Sequence, residues 1–110
     1  MLNTLNDTVV TESSIDALSY HQLKKHRNSL YISFGGSVTV EQLETVKRII
    51  NNSNPSPELK IISAVDNDEM GKIYTKKFKE AFTWDIVEDY PRLNDYNEDL
   101  KKSQLRGIKI

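Results

Sequence analysis

Residues 60–78 read KIISAVDNDEMGKIYTKKF and contain the clearest strand-to-helix transition in the chain. It begins with an apolar run typical of a buried strand, passes through Asp-Asn-Asp, and continues as an amphipathic helix. The apolar residues at helical spacing are Met70, Ile73, Tyr74, Phe78 and Phe82. We expect Asp66 or Asn67 to cap this helix, with Glu69 in its first turn. The stretch is therefore predicted to be a strand joined to a helix by a short acidic loop.

The same alternation of strand and helix extends in both directions from this stretch. The other predicted strands are 8–11, 30–34 and 84–87, and the other predicted helices are 14–25, 40–52 and a short one at about 98–104. Strands separated by such helices cannot pair as hairpins, so they need right-handed crossovers and form a parallel sheet covered on both faces. The sequence therefore predicts an α/β, Rossmann-like fold of three layers, with a mainly parallel four-stranded sheet flanked by helices.

Local signals give further detail for two of the helices. Thr39 followed by Gln42 is a capping box at the start of helix 40–52, and Val38 and Leu43 are spaced as a hydrophobic staple. The segment 54–57, Asn-Pro-Ser-Pro, predicts a turn after that helix. We expect inward-facing side chains at Val40, Leu43, Val46 and Ile50 in this helix, and at Ile15, Leu18 and Leu23 in helix 14–25.

Length and composition limit the possible functions. The chain has 110 residues and a mass of 12.7 kDa, which suits a single domain, with a core expected at about 8–88 and a polar tail at 89–110. It has no cysteine, which excludes a disulfide framework, a thiolate zinc site and a cysteine nucleophile. Its net charge is −1, so any nucleic-acid contact must be local or assisted by a metal or another domain. No apolar run approaches the ~20 residues of a membrane span, and we expect no membrane partner and a cytoplasmic location.

Chemistry is expected at one edge of the predicted sheet. Ligands of open parallel sheets bind beyond the carboxyl ends of the strands. The residues there are Glu12 after the first strand, Gly35 and Gly36 after the second, and Asp66 and Asp68 after the third. If the first strand lies between the second and the third, the three carboxylates converge and repel one another. Because Mg²⁺ relieves such repulsion with oxygen ligands, the pattern favours phosphoryl or nucleotidyl transfer.

Each of these features also has a purely structural explanation. Asp66 and Asn67 are typical helix caps, and a single carboxylate such as Glu12 is typical of a solvated strand end. The Gly35-Gly36 pair can simply form a turn, and both the GxGxxG and the P-loop patterns are absent. The residues taken one at a time therefore leave a structural and a functional interpretation open.

Four motifs occur in a recognisable order along the chain. They are TESSIDAL at 11–18, SFGG at 33–36, VDNDEMG at 65–71 and, after Pro91, NDYNEDL at 94–100. The first three resemble motifs of the Toprim domain, and the third one matches its D-x-D-x-x-G pattern. The Toprim domain is the catalytic fold of bacterial-type primases, type IA and type II topoisomerases, OLD-type nucleases and recombination-repair proteins. The fourth is similar to the P…KDWND-L tail of Toprim-like domains in plasmid, phage and mobile-element primase or relaxase-type proteins. Two residues depart from that tail, because Asn94 replaces its Lys and Tyr96 replaces its Trp. In the first motif, Ser13 occupies a position where many members of the family have Gly.

The resemblance implies a role for each matching residue. Glu12 would be the general acid/base of phosphodiester chemistry or a shared metal ligand, and Asp66 and Asp68 would hold Mg²⁺ or Mn²⁺. Supporting roles fall to Asp16, which would orient the acidic cluster, to Gly35 and Gly36 at the site, and to Gly71, which would allow close helix–strand packing. Asp95 and Asn97 could form a further polar edge.

Nucleic acid is the partner that these motifs favour. We predict Lys72, Lys76 and Lys77, on the helix after the acids, as local contacts to it, although they equally suit a solvated helix face. With a nearly neutral chain, the isolated domain is expected to be weakly active and to reach DNA, RNA or nucleotides through other domains of a parent protein.

The predicted function is Mg²⁺-dependent phosphodiester chemistry on nucleic acid, as primase-type nucleotidyl transfer or DNA cleavage within a larger DNA-processing protein. The main alternative is a non-catalytic docking module of a mobile-element protein that keeps the cation site. A Rossmann-like binder of small nucleotides is disfavoured because GxGxxG is absent. A phosphatase with a DxD nucleophile is disfavoured because its acids would follow the first strand, whereas here they follow the third.

Overall fold

Four strands and four helices alternate along the chain, as the hydrophobic pattern predicts. In the computed structural model, which describes residues 4–26 and 28–107, the strands are β1 Leu5–Thr11, β2 Ser29–Ser33, β3 Pro55–Ser63 and β4 Asp85–Glu88. The helices are α1 Ser14–Lys24, α2 Val40–Asn51, α3 Glu69–Ala81 and α4 Tyr96–Gly107. Among the described residues, no helix combines the length and the apolar character needed to cross a membrane.

The strands form one parallel sheet in the order β2-β1-β3-β4. β1 pairs with β2 as far as Thr11 and Ser33, and with β3 as far as Val10 and Ser63. β1 therefore lies between β2 and β3, and its carboxyl end is next to the carboxyl end of β3. The predicted parallel four-stranded sheet is confirmed, in the strand order that brings Glu12 toward the acidic loop.

Side chains of the central strands alternate between two apolar cores, because successive residues of a strand point to opposite faces. Val10 and Ile61 are fully buried on the face covered by α2 and α3. Val9 and Ile62 lie on the other face, with Tyr20 of α1 and Tyr96 of α4. The sheet is thus the middle of three layers, as predicted.

The start of α2 has the predicted capping box. Gln42 donates its backbone N–H to Thr39 Oγ1 at 3.2 Å, and Thr39 donates its own to Gln42 Oε1 at 2.8 Å. Val38 and Leu43, the predicted staple, both belong to the core on this face of the sheet. Val40 is 75% exposed, so its predicted inward position is wrong. It lies in the first turn, outside the buried stripe of Leu43, Val46 and Ile50.

The predicted apolar faces of α1 and α3 are confirmed only in part, since Leu23 packs against the core and Tyr74, Phe78 and Phe82 are buried, while other apolar residues are exposed. Ile15 and Leu18 are 55% and 71% exposed, whereas α1 buries Asp16, Ser19 and Tyr20. Met70 and Ile73 are each 48% exposed, whereas α3 buries Gly71, Tyr74, Thr75 and Phe78. Polar residues can occupy these buried positions because their hydrogen bonds are satisfied: Ser19 donates to the Ile15 carbonyl and Thr75 to that of Gly71.

β3 begins earlier than the turn signal predicts. Pro55 pairs with Leu5, so segment 54–57 leads directly into the strand. Proline is tolerated at the first position of a strand and where one side has no partner strand. Pro55 meets both conditions. It is the first residue of β3, and it has no partner on the β4 side, because β4 pairs only with Lys60–Ser63 of β3.

The segment after β4 packs against α1 through its aromatic residues. α4 begins at Tyr96, which is 2% exposed and whose ring lies edge-on to that of Tyr20, with 4.9 Å between centroids. Both tyrosines bond to Asp89: Tyr96 donates to its carbonyl at 2.5 Å and Tyr20 to its carboxylate at 2.7 Å. These contacts hold α4 on α1, on the same face of the sheet.

Candidate functional site

Glu12 and the loop after β3 meet at the carboxyl edge of the sheet. The Oε2 atom of Glu12 accepts a hydrogen bond from the backbone N–H of Asp66 at 2.9 Å, across 54 residues of sequence. The Glu12 carbonyl also accepts a hydrogen bond from the N–H of Gly36 at 3.1 Å. The segments that follow β1, β2 and β3 therefore converge on Glu12.

Asp68 is the N-cap of α3, so the expectation of Asp66 or Asn67 in that position is wrong. Its Oδ1 accepts the backbone N–H of Gly71 at 2.8 Å. The Asp66 N–H is already bonded to Glu12, and the chain stays extended through Asp68 (φ −147°, ψ −179°) before the helix begins. Within the described part of the chain, the Asp66 carboxylate accepts no hydrogen bond, so it remains available to a ligand.

Burial and neighbouring acidic side chains raise the pKa of Glu12 and of Asp66. Burial raises the pKa of Asp66 to about 7, and the neighbouring charges of Glu12, Asp16 and Asp68 add to the effect. Burial also raises the pKa of Glu12; the N–H of Asp66 opposes this, and the charges of Asp68 and Asp16 reinforce it. The edge is thus a site of concentrated negative charge, and a cation bound there would relieve the repulsion.

Asp16 is buried behind these acids and held by two elements. It is 5% exposed and accepts hydrogen bonds from Ser13 Oγ at 2.8 Å and from the backbone N–H of Asn97 at 3.1 Å. Ser13 is also the N-cap of α1, because its hydroxyl accepts the Asp16 N–H at 3.3 Å. Asp16 therefore connects the start of α1 to the start of α4 while its charge acts on Glu12 and Asp66.

The predicted supporting glycines satisfy two different requirements. Gly35 and Gly36 have φ of +68° and +96°, the left-handed region that favours glycine, and no protein atom would contact a Cβ at either position. Their turn is fastened to α3, since Tyr74 donates its hydroxyl to the Gly36 carbonyl at 3.2 Å. Gly71 is needed for space, because a Cβ there would overlap the carbonyl oxygen of Asp66. Gly71 thus lets α3 start directly against the acidic loop.

The three lysines of α3 that are predicted as nucleic-acid contacts lie in different surroundings. Lys72 Nζ is 3.4 Å from Asn67 Oδ1, beside the acids. Lys77 donates to the Val38 carbonyl at 3.3 Å and is thereby directed toward the start of α2. Lys76 is exposed on the same helix. Lys72 is the lysine that the structure places next to the acidic edge.

Sequence reasoning missed how the tail holds the acidic loop. Asn67 donates its backbone N–H to the Asn94 carbonyl at 2.7 Å and its side-chain amide to the Pro91 carbonyl at 3.1 Å. Asp95, whose charge contributes to the raised pKa of Asp66, caps the first turn of α4 by accepting the Glu98 N–H at 2.8 Å. The motif NDYNEDL was the available signal, but its contacts are to backbone atoms, which no side-chain pattern identifies.

The donor set at this edge suits a hard divalent cation. Glu12, Asp66 and Asp68 offer only carboxylate oxygens, and the hydrogen bonds of Glu12 and Asp68 each use one of their two oxygens. Within residues 4–26 and 28–107, however, no three His, Asp or Glu side chains form a group tight enough to enclose a metal ion. These carboxylates therefore offer oxygen ligands to a cation without enclosing it.

The fold and this edge define a class of protein: an α/β domain with acidic residues after neighbouring parallel strands. Residues 9–100 match the family model described as Toprim-like, so the chain belongs to the Toprim-like family. The family is generally associated with Mg²⁺-dependent processing of nucleic acids. Comparison with curated proteins and with solved structures gives no significant match.

Proposed function

We propose that the chain performs Mg²⁺-dependent phosphodiester chemistry on nucleic acid, as primase-type nucleotidyl transfer or DNA cleavage, within a larger DNA-processing protein. The observation that supports this most directly is the hydrogen bond between Glu12 and the Asp66 N–H. It joins the acids of two separate motifs at the edge where parallel sheets bind ligands. Membership of the Toprim-like family supports the same chemistry.

In this proposal Glu12 is the general acid/base. Burial among other acids raises the pKa of its carboxyl toward the pH at which it could exchange a proton with a phosphodiester oxygen or water. Asp66 and Asp68, with Glu12, would hold Mg²⁺ or Mn²⁺, which when bound polarises a phosphate oxygen. Asp16 is a positioning residue, because it acts through the starts of α1 and α4.

Contact with the nucleic acid needs local cations, because the chain as a whole carries a net charge of −1. Lys72 is the first candidate, since its ammonium group lies beside the acidic loop, followed by Lys76 and Lys77 on the same helix. So few cations support weak binding by this chain and further contacts from other domains of a parent protein.

The metal site is tested by following backbone amide shifts by NMR while Mg²⁺ or Mn²⁺ is added. We expect shifts clustered at Glu12 and at 66–68, and their loss in Asp66→Asn. Asp85→Asn is the matched control, because Asp85 is an exposed acid at the amino end of β4. No shifts at millimolar metal, or equal shifts in the Asp66→Asn variant, would contradict the site.

A non-catalytic docking role is the second candidate, and one observation favours it. One oxygen of the Asp68 carboxylate caps α3, which is a structural role that requires no catalysis. A primer-synthesis and nicking assay on the parent protein with Glu12→Gln separates the two candidates. Activity abolished in Glu12→Gln supports catalysis, whereas activity equal to wild type supports docking.

A further inference from the structure

A cavity of about 510 Å³ lies between the C-terminal end of α1, the segment after β4 and α4. Among the residues that the structure describes, three cationic side chains line it: Lys24, Arg92 and Lys102. Lys24 lies 4.0 Å from the Asp89 carboxylate, at the limit of an ion pair. The side chains of Arg92 and Lys102 have no hydrogen-bond or ion-pair partner among the residues that the structure describes. In a chain with a net charge of −1, the cavity therefore contains two cations without a partner in the described part of the chain.

The two acids of the same cavity are already bonded within the protein. Asp99 accepts the backbone N–H groups of Arg92 and Leu93, both at 2.8 Å. Asp89 accepts the buried hydroxyl of Tyr20 at 2.7 Å. Among the described residues, neither Arg92 nor Lys102 forms an ion pair with Asp89 or Asp99, so these two cations remain available to an external anion.

One loop separates this cavity from the acidic edge. Asn67, in the acidic loop, bonds to the carbonyls of Pro91 and Asn94, while Arg92 and Leu93 between them line the cavity. Tyr90 also lines the cavity, and Lys72 Nζ lies 5.2 Å from the centroid of its ring. Tyr90 thus contacts Lys72 of the acidic edge and also lines the cavity that contains Arg92.

We propose that this cavity binds the phosphates of a single-stranded nucleic acid whose reacting phosphodiester lies at the acidic edge. The identity of the ligand rests on the proposed function. Cations from three separate segments around one cavity suit successive phosphates of one strand, and the apolar side chains of Leu23, Leu93 and Tyr90 in the same lining suit an unpaired base. The cavity thus positions the strand, while the chemistry stays at Glu12 and Asp66.

The test measures binding of a fluorescein-labelled 15-mer of deoxythymidine by anisotropy, in EDTA and over a range of salt concentrations. The double variant Arg92→Ala/Lys102→Ala should bind at least about fivefold more weakly. The slope of log affinity against log salt should fall by about 1.4, because each phosphate that is no longer neutralised reduces it by about 0.7. The control Arg48→Ala/Lys60→Ala removes the same charges from α2 and β3 and should bind within about twofold of wild type. Both pairs of side chains are exposed, and thermal unfolding verifies that each variant is folded.

Three outcomes would overturn the cavity proposal. The first is equal affinity and salt slope in the wild type and the Arg92→Ala/Lys102→Ala variant. The second is complete displacement of the oligonucleotide by millimolar inorganic phosphate or thymidine monophosphate, and the third is a 15-residue polyglutamate peptide that competes as well as unlabelled oligonucleotide. The first shows that the cavity is not used, and the others indicate a small phosphate compound or an acidic protein. Because EDTA removes the metal, this test is independent of the Mg²⁺ titration. Loss of binding in Arg92→Ala/Lys102→Ala together with a silent titration supports the cavity and overturns only the metal site.

Discussion

Replacing Asp66 by Asn should stabilise the metal-free protein while removing its response to metal. Asp66 is partly buried, receives no hydrogen bond within the described residues, and is repelled by Glu12, Asp16 and Asp68. Its pKa is about 7 in the folded protein, against an ordinary value of 3.8. Asn keeps the shape of the side chain and removes the charge, so the repulsion and part of the desolvation cost disappear.

The direction of the pH dependence follows from this raised pKa. Below about pH 3.8 the carboxyl is protonated in both the folded and the unfolded chain, so Asp66 costs no stability. As the pH rises to about 7, the unfolded chain releases the proton while the folded protein retains it, and the folded protein is progressively destabilised. The penalty is complete above that pH. Since Asp66 is partly accessible to water, we reduce the nominal ~4 kcal/mol to about 1–2 kcal/mol.

Thermal unfolding followed by circular dichroism in EDTA measures this effect. At pH 8 the Tm of Asp66→Asn should exceed that of the wild type by about 5–10 °C, and at pH 5 the difference should be much smaller. Adding Mg²⁺ should raise the Tm of the wild type and leave that of Asp66→Asn unchanged. Asp85→Asn, the exposed control, should change little at either pH. Repulsion at Asp66 would be contradicted by a lower Tm for Asp66→Asn than for the wild type at pH 8 in EDTA. It would also be contradicted by a Tm increase at pH 5 as large as the increase at pH 8.

Two further substitutions test the supports of the site by urea unfolding. Gly71→Ala places a Cβ against the Asp66 carbonyl and should lower the free energy of unfolding by about 3 kcal/mol. Its control, Lys76→Ala on the exposed face of the same helix, should change that free energy by less than about 0.5 kcal/mol. Equal effects of the two substitutions would show that α3 does not pack as described. Ser13→Ala removes the N-cap of α1 and one hydrogen-bond donor to Asp16, so it should lower the free energy of unfolding by about 1 kcal/mol. Ser37→Ala is its neutral control, because Ser37 is exposed and lies outside the helices. An unchanged unfolding midpoint in Ser13→Ala would contradict the capping role.

The alternation of elements could be predicted because it depends on interactions over a few residues. The runs Val9-Val10 and Ile61-Ile62 and the helical spacing of Leu43, Val46 and Ile50 specify their own local structure. The capping box of Thr39 and Gln42 likewise involves groups three residues apart. Helices between the strands then require parallel crossovers, so the sheet followed from the order of the elements.

The buried face of α1 could not be predicted from hydrophobicity. Ile15 and Leu18 lie outside, whereas Asp16 is buried because it receives the N–H of Asn97, 81 residues away in the sequence. Tyr20 is buried for a similar reason, since its hydroxyl donates to Asp89, 69 residues away. A distant partner makes a polar residue acceptable inside the fold, and the sequence pattern around that residue contains no sign of it.

By itself the sequence determined where acidic residues leave the strands, because a strand end is a local property. Only the tertiary structure decided what those residues contact. Because β1 lies beside β3, the Asp66 N–H donates a hydrogen bond to Glu12. The acidic loop stays extended as far as Asp68, and Asp68 caps α3. The packing of α4 on α1 surrounds one cavity with Lys24, Arg92 and Lys102, three cations from separate parts of the chain. Both results depend on which distant segments become neighbours, and that is set by how the layers pack together.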